Sequence, residues 1–427
     1  MAPKYAPSLR ARLPPVAFLL QTTFIVIFTF CVEIEDSRNE KEEVFIYTYA
    51  KFQDIHVMVF LGFGFLATFL VRYGFSSSAF NVLVAAMAVQ WATILNGILM
   101  SQHFGDSKIH INLKSLVDAE LCAASALVAM GAINGKTNPV QLLIFTLIEV
   151  TGFVLNQWLI QTLFKRPIQM HWLYSTTLIN IFGGLFGLMT TRVLFRSKME
   201  PKHEKEKVGR TSGLFAMFGT LFLWMFWPSL NSALESNIGR SEKRISVLCN
   251  TYLSLAVSAV TAMAFSVLSS SKGKMNLVHI QSSMLAGGIA VGGTVTLAPA
   301  PWVAMTIGFC ASLLSTLGFR YLKDHMLFAF DCHDTNGVLF VHAVPGILGW
   351  FAQLILSLAS ISHSTIAVRF AVHHICILLI TVSMSLVMGV ITGLILKWKF
   401  WKPQLDRNCY DDQAFWEVCG FFLFEVT

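Results

Sequence analysis

Between Asp334 and Trp350 the chain reads DTNGVLFVHAVPGILGW. One histidine, His342, lies inside an apolar segment that continues to about residue 360. An ionisable ring at bilayer depth is costly unless it faces a cavity, a partner or a transport pathway. A Pro-Gly pair follows at residues 345–346, and in a membrane helix such a pair marks a bend or a close helix contact. The stretch therefore indicates a membrane helix whose histidine either serves a pathway or donates a hydrogen bond inside a bundle.

The composition is that of an integral membrane protein. Of 427 residues, 55% are hydrophobic and 13% are charged, and the mean hydropathy is +0.63. Soluble domains carry roughly a quarter charged residues. The net charge of +7 does not indicate nucleic-acid binding, because the basic residues lie in short loops between apolar segments. The eight cysteines include no CxxC pair and no Cys/His cluster at zinc spacing, so no metal site or cofactor is predicted.

Apolar windows long enough to cross about 30 Å of hydrocarbon recur along the chain. They lie near residues 16–32, 55–73, 78–101, 115–134, 139–164, 172–195, 213–232, 246–267, 281–298, 301–322, 337–360 and 370–397. The windows are continuously apolar rather than alternating, which excludes a transmembrane β-barrel. The sequence therefore predicts an all-α polytopic membrane protein with about twelve transmembrane helices in residues 1–397 and a cytoplasmic tail in residues 398–427.

Charged residues predict how the chain is oriented in the membrane. Basic residues gather at the N-terminus, after the sixth window and after the last window: Lys4, Arg10, Arg12; Arg196, Lys198, Lys202, Lys205, Lys207, Arg210; Lys397, Lys399 and Lys402. An even number of helices places all three groups on one side, which the positive-inside rule identifies as the cytoplasm. The first loop is acidic and is predicted to lie outside. Both termini are therefore predicted to be cytoplasmic.

Five long stretches resemble the Rh branch of the ammonium transporter and Rh superfamily. They are KFQDIHVMVFLGFGFLATFLVRYGF (51–75), FGTLFLWMFWPSLNSAL (218–234), VHIQSSMLAGGIAVGG (278–293), DTNGVLFVHAVPG (334–346) and NCYDDQAFWE (408–417). The resemblance implies the ammonium transporter/Rh-type channel fold, a trimeric assembly in the plasma membrane and one pore in each conducting protomer. It implies passage of ammonia or ammonium, with carbon dioxide as a further candidate, and no enzymatic activity.

The resemblance also identifies the pore positions. Conducting members have two facing histidines in mid-pore, an aspartate near the first histidine and two phenylalanines at the external mouth. His342 matches the second histidine, whereas Asn180 stands at the first, Trp172 at the aspartate, and Leu121 and Leu230 at the phenylalanines. An amide cannot relay a proton near neutrality, and leucine lacks the aromatic face that holds cations. The sequence therefore predicts strongly reduced ammonium conduction.

The same changes resemble the blood-group-antigen type of Rh protein, the D and CE antigen-like members. No asparagine heads an Asn-X-Ser/Thr glycosylation signal, although HIQSSMLAGG and DTNG look closer to the Rh glycoproteins. Two hypotheses follow. The chain is a channel with reduced activity, or it is a non-conducting structural subunit that forms a heterotrimer with an Rh glycoprotein and links the membrane to its skeleton.

Other candidate residues give weaker signals. The doublet at residues 373–374 has no third ligand at metal spacing, and no Ser-His-Asp or Cys-His set is evident. His56 is predicted to lie in a loop or at the membrane interface. At the C-terminus, Asp411, Asp412 and Trp416 are compatible either with a docking site or with a solvated tail.

Overall fold

The structure, a computed structural model, describes residues 8–35, 42–99, 108–164, 176–194, 203–233 and 241–417. Within these ranges twelve helical segments follow one another: α1 (Leu13–Cys31), α2 (Glu42–Val57), α3 (Gly74–Leu99), α4 (Leu113–Ile133), α5 (Pro139–Phe164), α6 (Thr176–Leu194), α7 (Arg210–Ala233), α8 (Ser241–Leu268), α9 (Leu277–Val291), α10 (Pro301–Leu317), α11 (Leu339–Ser360) and α12 (Ser364–Leu396). Taken with the short helical turns that extend them, all but α9 are long and apolar enough to cross a membrane. The predicted all-α polytopic fold is confirmed.

A small sheet was not predicted. Strands β1 (Val32–Ile34) and β2 (Ile109–Ile111) pair in parallel, with Val32 opposite Ile109. They lie just after α1 and just before α4, so they tie together two loops on the same side of the helices. An ion pair of 3.1 Å between Lys108 and Glu33 adds to this contact.

Helix α2 begins thirteen residues before the predicted window at residue 55. The part of α2 before this window contains Glu42 and Lys51, which lower its mean hydropathy. Lys51 is nevertheless buried. Its ammonium group is stabilised there because it donates to the carbonyl of Ser232 at 2.9 Å and lies 4.0 Å from the ring centre of Tyr47. Beyond Val57, helical turns continue to Phe69.

The ninth predicted window, residues 281–298, is instead a short, interrupted helix followed by turns. Segment α9 consists of Leu277–Ser283 and Ala286–Val291, which together rise only about 22 Å at 1.5 Å per residue. Non-helical backbone is tolerated at membrane depth when protein buries it. Residues 286–295 are buried throughout, so this condition is met.

The loops on one face of the bundle are hydrogen-bonded to one another and to the C-terminal segment. The amide of Val71 donates to the carbonyl of Lys207 at 2.9 Å. The amide of Tyr410 donates to the carbonyl of Gly135, also at 2.9 Å. This face is called the tail side below. The backbone contacts agree with the even helix count, which brings these loops to one side of the membrane.

The C-terminal segment is held against the helices. Asp412 accepts hydrogen bonds from the amides of Phe75 and Ser76 at the start of α3, at 2.9 and 2.8 Å. The indole of Trp416 donates to the hydroxyl of Ser76 at 3.0 Å, and Asp411 pairs with Lys205 at 2.7 Å. The C-terminal segment is therefore packed against the bundle rather than being a solvated tail, and Trp416 remains 37% exposed.

Helices α4 and α6 form the centre of the bundle. Every residue of α4 from Ala119 to Ile133 is buried, whereas only Phe24 of α1 is. Glycine allows the two central helices to approach, since a Cβ atom at Gly187 of α6 would lie 2.3 Å from the carbonyl oxygen of Ala129 in α4. The outer helices expose large apolar side chains, as expected for surfaces that face lipid.

Candidate functional site

His342 lies in a π-helical turn, Leu339–Ala343, at the start of α11. Single π turns inside helices occur frequently at functional sites. The preceding turn needs glycine, because Gly337 has a φ of +71° and a Cβ atom there would lie 2.2 Å from the ring of Phe319. Asp334 then caps the helix by accepting a hydrogen bond from the amide of Leu339 at 3.0 Å. The DTNG sequence thus fixes where the helix begins and where His342 stands.

Asn180 and His342 are in direct contact. Nδ1 of His342 lies 2.7 Å from Oδ1 of Asn180, and both side chains are buried. The amide group of Asn180 donates through Nδ2 to the carbonyl oxygen of Thr176, also at 2.7 Å. This second bond fixes Oδ1 as the atom that faces the ring. Because an amide oxygen can only accept, Nδ1 of His342 carries the proton, and in a neutral ring Nε2 is the acceptor.

Close packing of α11 on α6 brings the two side chains together. A Cβ atom at Gly346 would lie 2.8 Å from the side chain of Ile181 and 3.2 Å from the carbonyl oxygen of Thr177. On the other helix, a Cβ atom at Gly184 would lie 3.0 Å from that of Ala343. The Pro-Gly pair after the histidine therefore marks a helix contact, as the sequence indicated.

A cavity of about 40 Å³ lies beside His342 and extends toward the tail side. Its wall includes Phe63, whose ring centre is 6.4 Å from that of the histidine, and Phe69 and Val278 further out. A cavity needs about 10–15 Å³ to hold one water molecule. The space beside His342 is therefore sufficient for a molecule of that size.

The other predicted pore residues lie apart from this cavity. Leu121 and Leu230 are buried, at 3% and 5% exposure, in one hydrophobic cluster with Phe63. They are not among the residues that line the cavity. Trp172 lies outside the described residues. Beside Leu230, the side chain of Asn231 is fixed by the hydroxyl of Thr176, which donates to it at 2.6 Å.

Two carboxyl groups inside the bundle were missed by the sequence reasoning. Glu149 of α5 is fully buried and accepts a hydrogen bond from the hydroxyl of Ser125 at 2.6 Å. Glu120 of α4 has a 3% exposed side chain and lies 2.5 Å from Nδ1 of His56 on α2. His56 is therefore the partner of a buried acid rather than a loop residue. The available signal was the presence of glutamate inside apolar windows, which usually marks a functional or paired group.

A polar cluster closes the tail side of the bundle. Lys136 donates to the carbonyl of Ala132 at 2.9 Å, to the hydroxyl of Thr191 at 2.8 Å and to the carbonyl of His333. Burial lowers the pKa of Lys136 to about 8. Burial likewise lowers the pKa of His333, whose Nε2 donates to Glu206 at 3.0 Å. Burial raises the pKa of Glu206, but the hydrogen bond and charge of His333, with the charges of nearby lysines, outweigh it and leave that pKa below its usual value.

The histidine doublet has a packing role. Nε2 of His374 donates to the carbonyl oxygen of Trp350 at 3.0 Å, and the two rings stack 4.1 Å apart. His373 contacts the ring of Phe164. In the part of the chain that the structure describes, no group of three or more His, Cys, Asp or Glu side chains is placed to hold a metal ion.

Comparisons with known proteins agree with this arrangement. A model described as the Ammonium Transporter Family matches residues 16–415. The chain is 39% identical to the ammonium transporter Rh type C of Homo sapiens, over 96% of this chain and 90% of that protein. It is 40% identical to the ammonium transporter Rh type A of Bos taurus, over 96% of each.

Solved structures extend the comparison to the fold. The Rh50 protein of Nitrosomonas europaea, described as one of the Rhesus protein family of channels, is similar with a TM-score of 0.77 and 26% identity, over 89% of this chain and 94% of that one. Mep2 of Saccharomyces cerevisiae, at 15% identity and a TM-score of 0.67 over 86% and 88%, shares the fold. The resemblance to the Rh branch is confirmed, while the assignment to the blood-group-antigen type stays a prediction.

Proposed function

Because the chain belongs to the ammonium transporter/Rh family, we propose that it passes ammonia across the plasma membrane through a path beside His342. The proposed substrate is the neutral molecule, and the proposed rate is strongly reduced relative to members with two pore histidines. Carbon dioxide is a further candidate, since it is also small and uncharged. The termini are proposed to be cytoplasmic, and the assembly to be a trimer.

The contact between Asn180 and His342 carries this proposal. A pair of imidazoles can exchange donor and acceptor roles, so a proton can move along them. In this chain the amide oxygen of Asn180 accepts from His342, and its amide nitrogen donates to the carbonyl of Thr176. The hydrogen bond between Asn180 and His342 therefore runs only from the ring to the amide. Ammonium that gave its proton to Nε2 would leave an imidazolium in a buried site, which is unfavourable without a paired charge. Neutral ammonia needs only to hydrogen-bond with Nε2.

The test is stopped-flow ammonia permeability of purified protein in liposomes. Wild type is expected to exceed empty liposomes while showing little saturable methylammonium uptake. Asn180→Leu keeps a similar volume but removes the acceptor, which frees the ring, so a changed permeability is expected. Asn180→His is expected to raise methylammonium uptake. Met225 is 60% exposed on the outside of the bundle, so Met225→Leu serves as the control for the substitutions of Asn180. Saturable uptake by wild type at the level of Asn180→His would refute the proposal.

A second function, a non-conducting structural subunit, is favoured by the external side of the bundle. Leu121 and Leu230 are buried in a shared hydrophobic cluster, and the cavity beside His342 does not reach them. On this hypothesis the chain assembles with an Rh glycoprotein and contributes to the link between membrane and skeleton. The channel proposal is wrong if liposomes with wild type and liposomes with Asn180→His both have the ammonia permeability of empty liposomes. Recovery of a stable homotrimer from the cell surface without an Rh glycoprotein would rule out an obligate partner.

A further inference from the structure

A second, larger cavity of about 1030 Å³ opens on the tail side. Five segments of the chain form its walls: residues 69–70, 206–208, 270–279, 319–328 and 332–335. Phe69 and Val278 belong to this wall and also to that of the small cavity beside His342. Phe69 and Val278 therefore lie between the small cavity and the large one, which is called the vestibule below.

The charged groups in the deep part of this vestibule are hydrogen-bonded within the protein. Of the carboxylates that line it, Glu206 accepts from His333 at 3.0 Å, and Asp334 accepts from the amide of Leu339 at 3.0 Å. Lys323 donates to the carbonyl of Thr335 at 3.0 Å. These groups have their partners within the protein.

The outer part carries an excess of positive charge. Its cations are Lys207, Lys272, Lys274 and Arg320, and the carboxylate that lines the cavity with them is Asp324. No carboxylate among the described residues forms a salt bridge with any of the four cations. Four cations that line one cavity with a single carboxylate beside them make a site suited to an anion with several negative oxygens.

Exposed apolar side chains surround these cations. Met275 is 62% exposed and Phe328 is 69% exposed, and both line the cavity. Helix α10 with its extension runs from Pro301 to Phe330, and its 30 residues span about 45 Å. Since the hydrocarbon layer is about 30 Å thick, the last turns reach the headgroup zone. Apolar side chains next to clustered cations at that depth are typical of a surface that binds anionic lipid.

We propose that this vestibule binds the phosphate-bearing headgroup of an anionic phospholipid of the cytoplasmic leaflet. The four cations contact the phosphate oxygens, while Met275 and Phe328 contact the first part of the acyl chains. A headgroup at this place lies across the route from the small cavity at Phe69. The inference rests on the proposed cytoplasmic orientation of the tail side but not on conduction, and the assay below measures binding alone.

The experiment measures lipid binding to the purified full-length protein by native mass spectrometry. The probes are phosphatidylinositol 4,5-bisphosphate, phosphatidylserine and phosphatidylcholine, with soluble inositol trisphosphate as a separate arm. The test variant is Lys272→Gln with Lys274→Gln. The matched control is Lys397→Gln with Lys399→Gln, which removes two exposed lysines at the end of α12 outside the cavity.

The phosphoinositide is expected to bind most tightly, and the cavity variant is expected to weaken it about 30-fold, since each basic residue near an anionic surface contributes about a factor of five. The control is expected to change binding less than threefold. Equal weakening by both variants, or no weakening by either, would overturn the proposal. If inositol trisphosphate binds as tightly as the lipid, the site takes a free phosphate ester and the lipid assignment is wrong. Thermal unfolding of the cavity variant should match wild type, because both lysines are exposed.

Discussion

Replacing Asp412 with alanine should release the C-terminal segment from the bundle. The first amides of a helix have no partner within the helix. In α3 the amides of Phe75 and Ser76 are satisfied by the two oxygens of Asp412, at 2.9 and 2.8 Å. The alanine variant removes both acceptors. It leaves the bond from the backbone amide of residue 412 to the carbonyl of Arg72, at 2.7 Å, and the bond from Trp416 to Ser76.

The expected cost is about 2 kcal/mol. Loss of a side-chain cap costs about 0.5–2 kcal/mol, and two short bonds place this site at the upper end. Burial limits the stability that the carboxylate contributes. It raises the pKa of Asp412, although the hydrogen bonds from Ser76 and Phe75 act to lower that pKa. A cost of about 2 kcal/mol corresponds to about a 30-fold increase in local opening. Since the docked carboxyl holds its proton more tightly than the released one, docking strengthens as the pH falls toward its pKa.

Hydrogen exchange in detergent or nanodiscs measures this opening at the amides of Phe75, Ser76 and Tyr410. All three should exchange about 30-fold faster in Asp412→Ala. Asp412→Asn keeps one acceptor oxygen and should lie between the alanine variant and wild type. Glu417→Gln removes a neighbouring exposed charge and should change nothing. Less than threefold acceleration in Asp412→Ala would mean that the cap does not hold the segment.

Three further outcomes follow from the packing and the charges. Gly187→Ala should lower stability by about 1–3 kcal/mol through overpacking, measured by thermal unfolding. Gly74→Ala, where a Cβ atom meets nothing within 4 Å, should be near neutral, and equal effects would contradict the packing argument. Lys136 binds its proton less tightly when folded, so stability should rise with pH from about 8 toward 10.5, and Lys136→Met should lose that slope. His56→Ala should cost about 1–3 kcal/mol by leaving Glu120 unpaired, and adding Glu120→Gln should recover most of it.

Hydropathy was sufficient to predict most of the helices because lipid imposes a single requirement on the chain, which is a long apolar segment. Hydropathy failed in the part of α2 before residue 55, where Lys51 and Glu42 lower the mean hydropathy of the window. Lys51 is accommodated by the carbonyl of Ser232 on α7, 181 residues away. A window average contains no information about such a partner. For the same reason, hydropathy could not show that α9 ends at Val291, since its irregular continuation is tolerated only because other helices bury it.

The candidate site was predicted in composition but not in geometry. The resemblance paired Asn180 with His342, and the two side chains are indeed in contact. Which amide atom faces the ring depends on the carbonyl of Thr176, and nothing in the spacing indicated it. The sequence does not decide whether the tail docks or is solvated, because the partners of Asp412 are the first amides of α3, and every helix offers such backbone groups equally.

The direction of the bond between Asn180 and His342 decides which chemistry the pair supports. To reverse it, the amide must turn over, give up its 2.7 Å bond to Thr176 and place Oδ1 against the carbonyl oxygen of that residue, at a cost of about 1–3 kcal/mol. At that cost the reversed state is populated at roughly one part in five to one part in 150. Even in the reversed state the amide only donates its own N–H and passes no proton on, so neither direction of the bond supports a proton relay. Passage of a neutral molecule does not require the reversal. One substitution from histidine to asparagine therefore acts mainly against proton relay, and much less against a path for ammonia itself.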